Sequence, residues 1–185
     1  MLEDVYSDLK TRMDKSIRSL EKDFQKIRTG RATPAILDGL LANYYGTPTP
    51  LPQMASISVP EPRQLLIQPW DQTAIPEIEK VILKSDLGLT PQNDGKVIRI
   101  NIPLLSQERR KELAKLVSKT AEDAKIALRA IRREGKDFLK ELKTAKEISE
   151  DELAKGETQV QKITDEYVEK VDALSKLKTK DIMEF

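Results

Sequence analysis

The sequence predicts an α+β fold: a long three-helix bundle with a small β/α/β domain inserted between its first and second helices. Two observations predict it. Apolar residues recur in steps of three and four over three long stretches, the mark of helices with one apolar face each. All ten prolines and five of the seven glycines lie between Gly30 and Pro103, which confines turns and strands to one block. The boundaries that follow are 1–29 with 106–185 for a discontinuous bundle, and 30–105 for the insert.

The first helix spans about residues 3–28. Its seam is Tyr6, Leu9, Met13, Ile17, Leu20, Phe24 and Ile27. Gly30 and Pro34 stop it. Short strands are then expected at 36–45, 56–59, 65–69 and 97–102, where β-branched and apolar residues run or alternate between turn residues. A helix fits 75–83, with Pro76 in its first turn. Asn93-Asp94-Gly95 is a turn signal.

The middle helix, Ser106 to Lys146, organises the chain. Its seam is Leu113, Val117, Ala121, Ala124, Leu128, Ile131, Gly135, Phe138, Leu142 and Ala145. At 1.5 Å per residue it would run roughly 60 Å. The third helix opens at Ser149, where Ser149 and Glu152 form a capping box. Its seam is Leu153, Gly156, Val160, Ile163, Tyr167, Val171, Leu174 and Leu177. One apolar stripe per helix can be buried only if the three helices pack together.

Net charge is only +1, but its distribution is uneven. Residues 105–146 carry 13 Lys/Arg against 7 Asp/Glu, whereas 147–185 carry 6 against 11. Projected at about 100° per residue, Lys111, Lys115, Lys125, Arg129, Arg132, Arg133, Lys136, Lys140 and Lys143 lie on one flank of the seam. Glu112, Asp123, Glu134, Asp137 and Glu141 lie on the other, and Glu122 alone sits among the bases. Pairing along one helix needs opposite signs on one side. The segregation therefore favours a polyanion site over a solvated, ion-paired face.

Other chemistry is disfavoured. With no histidine and no cysteine, the commonest general base, the commonest metal ligand and the disulfide are all missing. No nucleophile, base and oxyanion site assemble, so no enzyme, catalytic residue, metal or cofactor is expected. Glu150-Asp151-Glu152 reads as acids at a helix start. Gly30-Arg31-Ala32-Thr33 lacks the spacing of a phosphate loop. Tyr44, Tyr45 and Trp70 read as edge-of-core residues in preference to base-stacking ones. No run of 18 apolar residues or signal peptide is present, so no membrane is involved and a cytoplasmic location is expected. A rigid basic face fits structured RNA, because no DNA-reading motif is recognisable. The alternative is a coiled-coil adaptor or chaperone-like protein binding an acidic partner. The two connections, 29–33 and 102–105, permit a hinge between the domains.

Several ordered words resemble the ribosome recycling factor family. They are Lys26-Ile27-Arg28-Thr29-Gly30-Arg31-Ala32-Thr33-Pro34, Leu37-Asp38-Gly39, Tyr44-Tyr45-Gly46-Thr47-Pro48, Ser85-Asp86-Leu87-Gly88-Leu89, Glu108-Arg109-Arg110-Lys111-Glu112-Leu113, Ile131-Arg132-Arg133 and Lys146-Glu147-Ile148-Ser149-Glu150-Asp151. Together they span nearly the whole chain. The resemblance implies an L-shaped, monomeric bacterial translation factor. Such a factor splits the post-termination ribosome into subunits together with elongation factor G and GTP. It implies large-subunit rRNA contacts by Arg110, Arg129, Arg132 and Arg133, with Lys111 and Lys115 beside them. It also implies a hinge made of Arg28, Thr29, Gly30, Arg31 and Ala32 with Pro103, Leu104 and Leu105. Ala130 stands where the family usually has Asn, and Glu134-Gly135 where an Asp commonly follows the arginine pair.

Overall fold

The computed structural model describes residues 1–184. The chain forms two compact units, one of Met1–Ile27 with Glu108–Met183 and one built on Arg28–Gln107.

The first unit is the helical bundle, made of α1 (Leu2–Lys26), α3 (Gln107–Thr144) and α4 (Glu150–Glu184). Leu9, Met13 and Leu20 of α1, Val117, Leu128 and Leu139 of α3, and Val160, Ile163 and Val171 of α4 are fully or almost fully buried. Two glycines let the helices approach. A Cβ at Gly135 would stand 2.8 Å from Leu9 Cδ2, and one at Gly156 would stand 3.0 Å from Leu139 Cδ1. Gly135 is thus a close-approach site between α1 and α3.

Three seam positions differ from expectation, the first being Ala145, which is exposed because α3 ends at Thr144, just before it. Phe138 is 48 % exposed and Leu139 is buried in its place. Steps from Gly135 to 138 or to 139 are both helical. Phe138 lies about 60° from the centre of the stripe, whereas Leu139 reaches Gly156. In α4 the seam leaves Leu177 exposed and ends on the buried Ile182. Lys178, on the same stripe, is half-buried. Desolvation pushes its pKa down, and Asp181 opposes the shift.

The turn between α3 and α4 is specified locally. The Lys146 amide donates to the Lys143 carbonyl and the Glu147 amide to the Leu142 carbonyl, both at 2.9 Å. That is a Schellman ending with Lys146 at φ +59°, a left-handed position usually given to glycine. The expected capping box follows. The Ser149 amide donates to Glu152 Oε2 at 2.7 Å, and the Glu152 amide donates to Ser149 Oγ at 3.2 Å. The Ser149 amide, and then the Ser149 hydroxyl, hold the Glu152 carboxyl below its usual pKa.

Tyr167 ties α4 to α1. Its hydroxyl donates to Asp14 Oδ1 at 2.6 Å, and Lys170 Nζ lies 4.2 Å from its ring centre. Burial, then Asp14, push its pKa up to about 12 from 10.0. A folded-state pKa above the unfolded one means the neutral phenol stabilises the fold. That stability is complete below pH 10 and is lost as pH rises through 12. Tyr167→Phe should therefore lower thermal stability at neutral pH and flatten the loss between pH 10 and 12. Melting curves across that range check it; parallel curves for the two proteins would refute it.

The second unit holds a two-stranded hairpin, β1 (Leu41–Tyr44) with β2 (Thr47–Pro50), and a four-stranded antiparallel sheet. The sheet comprises β3 (Ala55–Glu61), β4 (Gln64–Pro69), β5 (Pro91–Asn93) and β6 (Ile98–Asn101) in the order β3-β4-β6-β5. Leu65 and Ile67 of β4 and Ile98 and Ile100 of β6 alternate inward. They share one core with Ile75, Ile78 and Ile82 of α2 (Ile75–Lys84). Leu83, in the last turn of α2, is exposed.

The long strand expected over 36–45 is instead a 3-10 turn, Pro34–Leu37, and the short β1. Gly39 at φ +82° separates them. The hairpin turns on Tyr45 and Gly46, both at positive φ, the requirement of a tight two-residue turn. Tyr44 packs on the core, as expected. Tyr45 and Trp70 do not; they are 80 % and 70 % exposed. At the 93–95 turn, Asp94 Oδ1 accepts the Lys96 and Val97 amides, each at 3.0 Å. These two bonds hold the Asp94 carboxyl below its usual pKa.

Candidate nucleic-acid interface

The two flanks of α3 face different helices. On the acidic flank, Glu134 pairs with Arg12 of α1. On the basic flank, Lys125 meets Asp172 of α4 at 2.5 Å, Lys143 meets Glu150 at 3.0 Å, and Arg132 Nη1 donates to Gln161 Oε1 at 3.3 Å. Lys125 and Lys143 therefore pair between helices, where pairing along α3 was not expected. The acidic excess of α4 is what the inner edge of the basic flank meets.

Geometry divides the flank in two. Arg132, Lys125 and Lys143 project within about 60–80° of the seam's centre, on the edge turned toward α4. Lys111, Arg129, Lys115, Arg133 and Lys140 project about 120–160° from it and face away from the core. Lys111, Lys115 and Arg133 are exposed and pair with no acid among the described residues. Arg129 is held by Glu122 two turns earlier, at 2.9 Å. The one acid among the bases is therefore a support for Arg129.

Arg132 is the best-positioned member. Its Nε is buried without a hydrogen-bond partner, and its guanidinium rests on Gln161. Gln161 is itself fixed, donating from Nε2 to Asp165 Oδ1 at 2.8 Å. A side chain so seated loses little further rotamer freedom on meeting an anion. Arg110 is different. It lies on the apolar side of α3 and donates from Nη1 to the Met183 carbonyl at 2.6 Å, closing the end of α4 where a cation suits the helix dipole.

Sequence reasoning missed Gln161, Asp165, Asp172 and Glu150 as supports. They become visible only when α4's register against α3 is known. The sole signal was the charge imbalance between residues 105–146 and 147–185.

The expected hinge residues lie between α1 and β1 and between β6 and α3. The Ala32 amide donates to the Pro62 carbonyl at 2.7 Å, and the Ile102 amide to the Arg63 carbonyl at 2.8 Å. Both connections are thus tied to adjacent residues of the β3–β4 turn. Ala32 is buried in the small unit's core. Arg28 Nη1 donates to the Leu87 carbonyl at 3.1 Å, and the Arg31 amide to Thr29 Oγ1 at 3.2 Å.

Among the described residues no three carboxylates gather as a metal centre, and no helix is long and apolar enough to cross a membrane. Residues 20–183 match the family pattern described as Ribosome recycling factor. The chain is 53 % identical over 184 residues to the ribosome-recycling factor of Syntrophobacter fumaroxidans and 55 % identical over 184 residues to that of Shouchella clausii. Each match covers 100 % of both chains. A solution structure of a ribosome recycling factor superposes with TM-score 0.76 at 39 % identity, covering 100 % of this chain and 98 % of that one. The Thermus thermophilus factor, in a model with Escherichia coli elongation factor G on the E. coli post-termination complex, gives TM-score 0.67 at 46 % identity over 98 % of each chain.

Proposed function

We infer the function from one premise: the chain belongs to the ribosome recycling factor family. It binds the post-termination ribosome in the bacterial cytoplasm and acts there with elongation factor G to split the subunits for reuse. It hydrolyses nothing itself; GTP is consumed by its partner. Its contribution is binding energy and transmitted force.

The observation that carries the residue-level reading is the basic flank of α3. Arg132, seated on Gln161 at its inner edge, and Arg129, Arg133, Lys111 and Lys115 on its outward edge form a basic strip for rRNA phosphates. Arg110 belongs to the same proposed rRNA-contacting set, and its Nη1 also holds the Met183 carbonyl at the end of α4. Arginine suits this task because its planar fork makes paired hydrogen bonds to phosphate oxygens. Motion between the units is assigned to Arg28, Thr29, Gly30, Arg31 and Ala32 on one connection and to Pro103, Leu104 and Leu105 on the other. The ties at Pro62 and Arg63 support this reading, since they fix where each flexible segment ends.

Light scattering of post-termination ribosomes with this protein, elongation factor G and GTP tests the function. Scattering should fall as subunits separate, and it should stay constant when this protein is omitted. Binding should also weaken steeply between about 50 and 200 mM salt, as phosphate contacts require. An unchanged scattering trace would refute the recycling role, and an affinity indifferent to salt would refute the phosphate strip. The adaptor alternative predicts no cosedimentation with ribosomes at all.

A further inference from the structure

We propose that the α1–α3 side of the bundle is a second docking surface, for a lysine- and arginine-rich protein segment that inserts one large apolar side chain. It rests on the reading that the bundle works on the ribosome.

A groove of about 670 Å³ runs between α1 and α3. Val5, Leu9, Gly135 and the exposed Phe138 line it, and Met1 closes one end. Its volume lies within the range of about 300–1,000 Å³ that holds specific ligands. An apolar anchor seated in a pocket, ringed by polar contacts, is how a few residues supply most of a docking energy.

The rim decides what the anchor belongs to. Asp4, Asp8, Asp137 and Glu141 stand around the groove, with Glu134 beside them. Only two cations line it, and both are engaged. Arg12 pairs with Glu134 and with Asp8, and the N-terminal ammonium lies 3.3 Å from Asp4. Asp137 has Lys140 no nearer than 3.9 Å, and Glu141 pairs with no cation among the described residues. This surface repels phosphate, so RNA cannot be its occupant. It complements a basic protein segment, such as an extension of a ribosomal protein reaching through the RNA. The bundle would then be gripped on two flanks by partners of opposite sign.

The test is equilibrium binding to purified post-termination ribosomes at one fixed salt concentration. Two variants are compared with wild type: Asp137→Lys with Glu141→Lys, and Phe138→Ser. All three side chains are exposed, and circular dichroism verifies that both variants keep their helices. Charge reversal should weaken binding by about tenfold or more, since it places cations against a basic segment. Phe138→Ser should weaken binding severalfold without changing charge. If rRNA faced this groove, reversal would tighten binding instead, because added cations gain phosphate contacts. Tighter or unchanged binding by the reversed variant overturns this inference alone. Absence of wild-type binding overturns the ribosome reading as well.

Discussion

Replacing Arg132 by alanine should weaken ribosome binding by about ten- to a hundredfold and slow subunit splitting at limiting factor. Hydrogen bonds to charged groups contribute roughly 1.5–3 kcal/mol each, and each 1.4 kcal/mol is about tenfold in affinity. Arg132 is the residue whose guanidinium is already positioned, so its loss removes contact energy with little compensating gain in freedom. Thermal stability should change by about 1 kcal/mol or less, because the bond to Gln161 is long, at 3.3 Å, a typical hydrogen bond contributes only about 0.5–1.5 kcal/mol net, and the substitution also removes the buried Nε that has no partner. Arg132→Lys should rescue poorly, since a point charge cannot reproduce the fork. Lys125→Ala is the contrasting variant. Lys125 is committed to Asp172, so its loss should leave affinity nearly intact. Binding titrations at several salt concentrations check both, with the Arg132→Ala slope lower by about one counterion. If Arg132→Ala splits ribosomes at the wild-type rate, the role assigned to Arg132 is wrong.

Leu128→Ala should destabilise the bundle by about 2–5 kcal/mol. Leu128 is fully buried at the middle of α3, where no chain end can relax to fill the space left behind. For a chain of this size each kcal/mol corresponds to roughly 2–4 °C in melting temperature. The midpoint should thus fall by about 5–20 °C. The tyrosines and tryptophan of the small unit should report a separate, less affected transition, since its core is its own. Calorimetry resolves the two. A single transition shifted by less than a degree would show that Leu128 is not central to the bundle's packing.

The helices and their boundaries were legible because their causes are local. Ser149 and Glu152 complete each other's bonds across three residues, and nothing distant is needed to see it. β2 and β5 were not legible. Pro48 and Pro50 are poor strand residues, and β2 exists because it lies along β1, with Pro48 opposite Asn43 and Pro50 opposite Leu41. An edge strand tolerates proline on its unpaired side. The choice between Phe138 and Leu139 depended on where Gly156 of another helix would lie. The candidate strip was visible as a one-sided set of bases. Its division into an inner edge that meets α4 and an outer edge that does not was invisible, because that division is set by packing. The same limit applies to Tyr45 and Trp70, whose aromatic character suggested a place at the core's edge but which the fold leaves exposed.

The ties of Ala32 to Pro62 and of Ile102 to Arg63 also bear on the order of assembly. α1 and α3 are separated in the chain by some 80 residues, and closing so long a flexible loop costs about 4 kcal/mol of entropy. Once β3 and β4 have paired, both exits of the small unit are fastened to neighbouring residues of one turn. The chain then enters and leaves the small unit at neighbouring points, Ala32 and Ile102. A long loop becomes a short one, and the search by which α1 finds α3 and α4 becomes nearly local. The insert is thus a clasp for the nascent bundle.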